Sequence, residues 1–216
     1  MFARLTIVAF ISIMLGSLTF AAEPSKFVSL FDGRTLNGWL SEPNAYRVEC
    51  GSIICVPGGK GNLLSKKEYE DFVLRFEFKL TAGANNGIGI RCPLQTTGNL
   101  HLTGIELQIL DHNHEKYAAL KPYQAHGSVY GLVPAKRDFL KPVGEWNQQE
   151  VTVQGRHIKV VLNGTTIVDA DLDEALQKPL DGAEHPGAKR PRGHIGLLGH
   201  GDRVDVREIY IHDLKP

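Results

Sequence analysis

The chain has 216 residues, with 24 Lys and Arg against 24 Asp and Glu and a formal net charge of zero. That balance disfavours nucleic acid or an anionic membrane surface as the main partner. The three cysteines cannot all pair within one chain, and none shows a zinc or redox spacing.

In chain order, the first feature is a leader. Arg4 supplies a positive start, Leu5 to Phe20 is apolar apart from Ser, Thr and Gly, and Phe20-Ala21-Ala22 offers a small-residue cleavage site. The apolar run is short for a membrane span, and Glu23-Pro24 follow at once. Residues 1–22 therefore read as a secretory signal. The expectation is an exported chain, periplasmic or extracellular, with no membrane span after processing. Residues 23–216 then form one domain, long enough for a good core and too short for two ordinary ones.

Within that domain the apolar runs are short, Gly-bounded and period-2. They predict strands over 27–30, 45–50, 53–56, 71–80, 86–92, 104–110, 127–132, 149–154, 157–162, 165–170, 193–199 and 203–213. Asn163-Gly164 and Gly155-Arg156 read as hairpin turns. With the turn of the 45–56 pair set at 51–52, Cys50 lies opposite Ile53, which argues against a Cys50–Cys55 bridge. Only 172–178 looks helical. A dozen short strands in one domain predict an all-β, two-sheet jelly-roll sandwich.

Period 2 places Glu106 and Gln108 on one face of the strand in GIELQILDHNH, with Ile105, Leu107 and Ile109 facing the core. The polar face either meets water or floors a cleft. In GIGIR the isoleucines take the core face, leaving Gly87, Gly89 and Arg91 on the other. Tyr130 lies in a further strand, and His200 leaves a strand between two glycines. Asp111-His112-Asn113-His114 reads as a turn whose metal-like spacing is not diagnostic. Trp39 and Trp146 read as core and corner residues rather than sugar platforms. Guanidinium, carboxylate, amide, phenol and imidazole at strand ends suit a hydroxyl-rich ligand.

Across the whole mature chain the wording resembles the secreted 3-keto-disaccharide hydrolase domain family. The resemblance runs through FVSLFDGRTLNGW (27–39), LLSKKEYEDFVLRFEFKL (63–80), NNGIGIR (85–91), GIELQILD (104–111), GSVYGLV (127–133), KPVGEWNQQEV (141–151), VVLNGTTIVD (160–169) and GHIGLLGHGDRVDVREI (193–209). It implies a concanavalin-like jelly roll of the lectin and glucanase type, a carbohydrate or oxidised glycoside as partner, and cleavage of 3-keto-glycosides by C2 deprotonation and β-elimination, with or without water addition. It places Arg91, Glu106, Gln108, Asp111, Tyr130 and His200 around the cleft.

On this reading His200 is the first choice for proton transfer, because its ordinary pKa lies near working pH. Glu106 is the alternative base or a metal ligand, Asp111 is a further catalytic candidate, and Gln108 and Tyr130 orient hydroxyls. Arg91 or one divalent metal ion holds the enolate, and Glu106, Asp111 and His112 are the open candidates for holding such an ion. No organic cofactor is implied. A two-carboxylate glycosidase is disfavoured, because the position two after Glu106 is an amide. A serine esterase lacks its Gly-x-Ser-x-Gly. The competing class is a non-catalytic carbohydrate-binding or envelope interaction module, which predicts sugar binding without product.

Overall fold

The computed structural model describes residues 26–215, so the leader read in 1–22 lies outside the described residues. Thirteen strands follow in chain order: β1 (Val28–Ser29), β2 (Trp39–Ser41), β3 (Tyr46–Glu49), β4 (Ser52–Cys55), β5 (Gly61–Tyr69), β6 (Phe72–Leu80), β7 (Asn85–Cys92), β8 (Ile105–Leu110), β9 (Trp146–Gln154), β10 (His157–Leu162), β11 (Thr165–Asp171), β12 (Gly193–Gly199) and β13 (Val204–Asp213). Two one-turn helices interrupt them, α1 (Leu100–Thr103) and α2 (Leu172–Ala175). Asp171 caps α2, accepting from the Asp173 and Glu174 backbone N–H groups. All pairings are antiparallel. The larger sheet runs β11-β10-β9-β6-β13-β4-β3 with β1 beside β13, and the smaller runs β2-β5-β12-β7-β8. This is the expected jelly-roll sandwich.

The core lies between the sheets, and alternation builds it. In β6, Phe72, Leu74, Phe76, Phe78 and Leu80 are buried, while Val73, Arg75, Glu77 and Lys79 face out. Ile88, Ile90, Ile105, Leu107, Ile109, Ile195 and Leu197 of the smaller sheet meet them in one cluster. Each such side chain contributes about 1.5–3 kcal/mol by leaving water. On the outer face of the larger sheet the charges pair among themselves, as in Arg75–Glu150, Arg207–Glu77 and Lys79–Asp205. Trp146 lies there beneath Arg207 and Lys79, and Trp39 is buried with its indole N–H donating to the Leu30 carbonyl.

Asn163 and Gly164 both have positive φ, 48° and 85°, which matches the right-handed twist of β10 and β11. Gly164→Ala meets no steric obstacle there, so the strained φ alone sets the cost. We expect a loss of about 1 kcal/mol, read from a urea midpoint shift at constant slope.

Three expectations need correction. The β3–β4 turn is Cys50-Gly51, one residue earlier than expected, because Glu49 pairs with Ser52 and both turn residues have positive φ. Cys50 therefore sits in the turn itself, and all three cysteines are free. Residues 127–132 form no strand of their own. Gly127 and Gly131 have positive φ and coil the segment, so only Val129 bridges to Leu107 and Val133. The expected helix over 172–178 stops at Ala175. Two strands leave no clear period in the sequence. β2 is three residues long, and in β5 residues 62–65 are buried on both faces, which erases period 2.

Candidate active site

Register sets two rows across the outer face of the smaller sheet. One row aligns Gly196, Gly89 and Glu106, and the Tyr130 N–H donates to the Glu106 carbonyl beside it. The next aligns Leu198, Gly87 and Gln108, and the Gln108 N–H donates to the Ser128 carbonyl. The 127–131 segment thus extends this sheet past β8. Neither Glu106 nor Gln108 meets bulk water, since each is 4% exposed. Their strand face is covered and built upon.

His200 Nε2 lies 3.3 Å from Glu106 Oε1. The pair reaches across β7, which separates β12 from β8. Gly87 makes this possible: a Cβ there would lie 2.2 Å from Glu106 Oε1 and 2.7 Å from its Cγ. The space above these glycines is taken up by the Glu106 carboxylate over Gly87, and by Cys92 and Leu198 over Gly89. Gly87→Ala pushes the carboxylate aside without touching the core. We expect a folded protein by circular dichroism with kcat reduced by about a hundredfold, the scale of a 1 Å misplacement.

The hydrogen bond with Glu106 raises the His200 pKa; burial opposes it, and the charges of Glu106 and Asp202 add to the rise. A carboxylate can only accept, so His200 Nε2 carries the hydrogen and Nδ1 is the nitrogen left for another partner. The His200 side chain is 44% exposed and Glu106 only 4%. A reachable proton carrier is thus backed by a buried anion.

Around this pair, Gln108 Oε1 accepts from the Ile109 N–H. The Tyr130 hydroxyl accepts from Gln124 Nε2, and its ring meets His101 and Tyr123 edge-on. Leu64, Cys92, Leu100 and Leu198 form an apolar layer. Burial, with the charge of Glu106, pushes the Cys92 thiol up to about 12, which leaves it inert as a nucleophile.

Arg190 is a functional candidate that the sequence does not reveal, because it sits in a loop distinguished only by its polarity. Its charge acts on Cys92 against that of Glu106, its Nε is buried with no hydrogen-bond partner, and it forms no ion pair among the described residues. Gly187, three residues earlier, packs directly on the backbone of Gly104 at the foot of β8 and sets the loop in place. Only the basic run KRPR hints at it.

The structure brings together His200, Glu106, Gln108 and Tyr130, and sends three other candidates elsewhere. Arg91 is the clearest correction. Between the pairs His194–Cys92 and Gly196–Gly89, one residue of β12 faces two of β7, and Arg91 takes φ 53°. This bulge returns Arg91 to the inner side, where its guanidinium donates to the Gly155 carbonyl in the β9–β10 turn. Cys92 takes the cleft face instead. Asp111 accepts from the Gly83 N–H at 2.8 Å, holding a loop. His112 is buried and accepts from the His126 N–H through Nδ1.

Among the described residues no three His, Cys, Asp or Glu side chains converge as metal ligands. Glu106, Asp111 and His112 each have a different partner, and this donor set does not fit a divalent ion. A shallow depression of about 310 Å³ on the outer face of the larger sheet is lined by Arg75, Glu77 and Glu150, whose charges already pair within that sheet. It offers nothing to a reaction.

Comparison with known proteins agrees with this architecture. The model of the 3-keto-alpha-glucoside-1,2-lyase-like domain family matches residues 26–212. A 3-keto-disaccharide hydrolase of Bacteroides thetaiotaomicron is 26% identical, over 90% of this chain and 81% of that protein. A crystal structure from Parabacteroides distasonis, provisionally assigned as a glycosyl hydrolase, superposes with TM-score 0.76 at 32% identity, over 88% of this chain and 100% of that one. The carbohydrate-binding module CBM66 of Bacillus subtilis shares the fold at TM-score 0.51 and 12% identity, over 81% of this chain and 95% of that one. With the family model spanning nearly the whole described domain, the chain belongs to the 3-keto-alpha-glucoside-1,2-lyase-like domain family and is carbohydrate-active.

Proposed function

We propose that this protein cleaves 3-keto-glycosides by removing the C2 proton and eliminating the C1 substituent. The observation that carries this reading is the His200–Glu106 pair, a half-exposed imidazole oriented by a buried carboxylate across Gly87. The C3 ketone acidifies C2–H, so neutral His200 can take that proton through Nδ1 while Nε2–H stays on Glu106. The C2–H electrons form the enolate, whose oxygen needs a fixed positive or hydrogen-bonding group. Arg190 fills that role in place of Arg91, and Gln108 and Tyr130 orient hydroxyls.

Collapse of the enolate forms C1=C2 and breaks the bond from C1 to the leaving oxygen, which takes the proton from the His200 imidazolium. Addition of water, hydroxyl to C1 and hydrogen to C2, completes hydrolysis. Each step uses proton transfer and charge stabilisation that these side chains supply. No oxocarbenium ion and no second carboxylate are required, which suits an amide at Gln108.

The test is an assay of residues 23–216 with a 3-keto-glucoside bearing a chromogenic aglycone, beside the unoxidised glucoside. Release from the keto substrate alone is expected. Sugar binding with no release from either would make the chain a binding module. Export is part of the same proposal, resting on the leader in residues 1–22. N-terminal sequencing of protein from the expressing cell should start near Glu23, and a mature chain beginning at Met1 would refute it.

A further inference from the structure

A groove of about 520 Å³ lies against the turn that carries His200, lined by polar Glu42, Asn44, Lys60 and Thr97 and by apolar Val56 and Pro57. Its walls are tied to the turn that carries His200. The β12–β5 ladder ends at Gly199–Gly61, one residue before His200 and one after Lys60, and the Gly58 N–H donates to the Gly201 carbonyl at 2.8 Å. On the far wall the Asn62 N–H donates to the Thr96 carbonyl, and the Thr96 hydroxyl donates to Glu42. The three walls are thus one connected unit built around the end of β12.

Glu42 and Lys60 form no ion pair among the described residues, unlike the charges on the larger sheet. An acceptor, an ammonium donor, an amide and a hydroxyl stand over small apolar side chains, at a volume typical of small-molecule clefts, about 300–1,000 Å³. Hydroxyls and C–H faces of a pyranose match that combination. A formally neutral unit matches the opposite charges of Glu42 and Lys60 better than an anion or a cation would. We propose that this groove binds the leaving sugar of a disaccharide, so that the departing oxygen lies beside His200. The inference rests on the keto-glycoside reading and adds the residues that hold the leaving sugar.

Two measurements test it. First, kcat/KM is compared for a 3-keto-disaccharide and a nitrophenyl 3-keto-glucoside in the wild type, Lys60→Ala and Glu42→Gln, the latter able to keep an acceptor for Thr96. We expect about a tenfold loss on the disaccharide in each variant, the scale of one charged hydrogen bond, with the aryl substrate within twofold of wild type. Equal losses on both substrates, or none on the disaccharide, would overturn the subsite. Second, calorimetry with the unoxidised disaccharide reads the groove without chemistry. Binding weakened in Lys60→Ala supports the subsite even where neither keto substrate is cleaved. Unchanged or absent binding there would count against the groove itself.

Discussion

His200→Ala is expected to lower kcat/KM on a 3-keto-glucoside by about a hundred- to ten-thousand-fold, the range for one general acid–base group. The fold should survive. His200 sits at a strand end, 44% exposed, and its attraction to Glu106 is worth about 1 kcal/mol or less in that setting. The sign of that small term is fixed by the raised pKa. It is present below the unfolded-state value of about 6.5 and is lost as pH rises through the folded value.

Catalysis follows the opposite limb. The neutral imidazole is the base, so kcat/KM should fall as pH drops through the raised pKa. Glu106→Gln removes the main cause of the rise. Its acid limb should therefore move to lower pH while its plateau rate drops. A plateau rate near wild type in either variant would remove the pair from the mechanism.

The second large effect concerns stability at acid pH. His126 is 1% exposed, its ring stacked on Phe78 at 5.0 Å, with Nδ1 accepting from the Leu110 N–H and Nε2 3.1 Å from Gln149 Oε1. Burial, reinforced by His112, pushes its pKa down to about 3, against the opposing bond to Gln149. His112 is lowered too, by burial and then by Arg137.

Between about 6.5 and about 3 the unfolded chain binds a proton that the folded chain refuses, so stability falls as pH falls. One such group changes stability by about 1.4 kcal/mol per pH unit at most. We expect His126 to account for about 2–3 kcal/mol of the loss between pH 7 and pH 4.5, measured by urea unfolding. His126→Gln should flatten that dependence by the same amount, whatever its stability at pH 7. An unaltered slope in the variant would place the acid sensitivity elsewhere.

Several of these elements are legible in the sequence because a single periodicity reports them. Burial alternates from Phe72 to Leu80, and Ile105 to Ile109 alternate apolar and polar in sequence, which is why alternation alone puts Glu106 and Gln108 on one face. Asn163-Gly164 carries its turn chemistry in two residues. Arg91 escapes because one bulge changes the face of every residue beyond it, and positive φ at an arginine leaves no mark in composition. The 127–132 segment shows strand alternation, yet its glycines take left-handed conformations that end pairing after one bridge.

Arg190 depends on a loop resting on Gly104, and the groove beside Lys60 on loops joined at the end of β12, residues far apart in sequence with no shared period. What the glycines mean is also hidden. Gly87 and Gly89 suggest open space, whereas each accommodates a neighbouring side chain, and for Gly87 that is the Glu106 carboxylate.

The central claim, that this site acts by proton abstraction from C2, is tested most directly with a 3-keto-glucoside deuterated at C2. The wild-type protein should show a primary isotope effect on kcat/KM, and product formed in ordinary water should have lost deuterium from C2. Cleavage with no isotope effect and with the C2 deuterium fully retained would contradict deprotonation and return the reaction to direct displacement at C1.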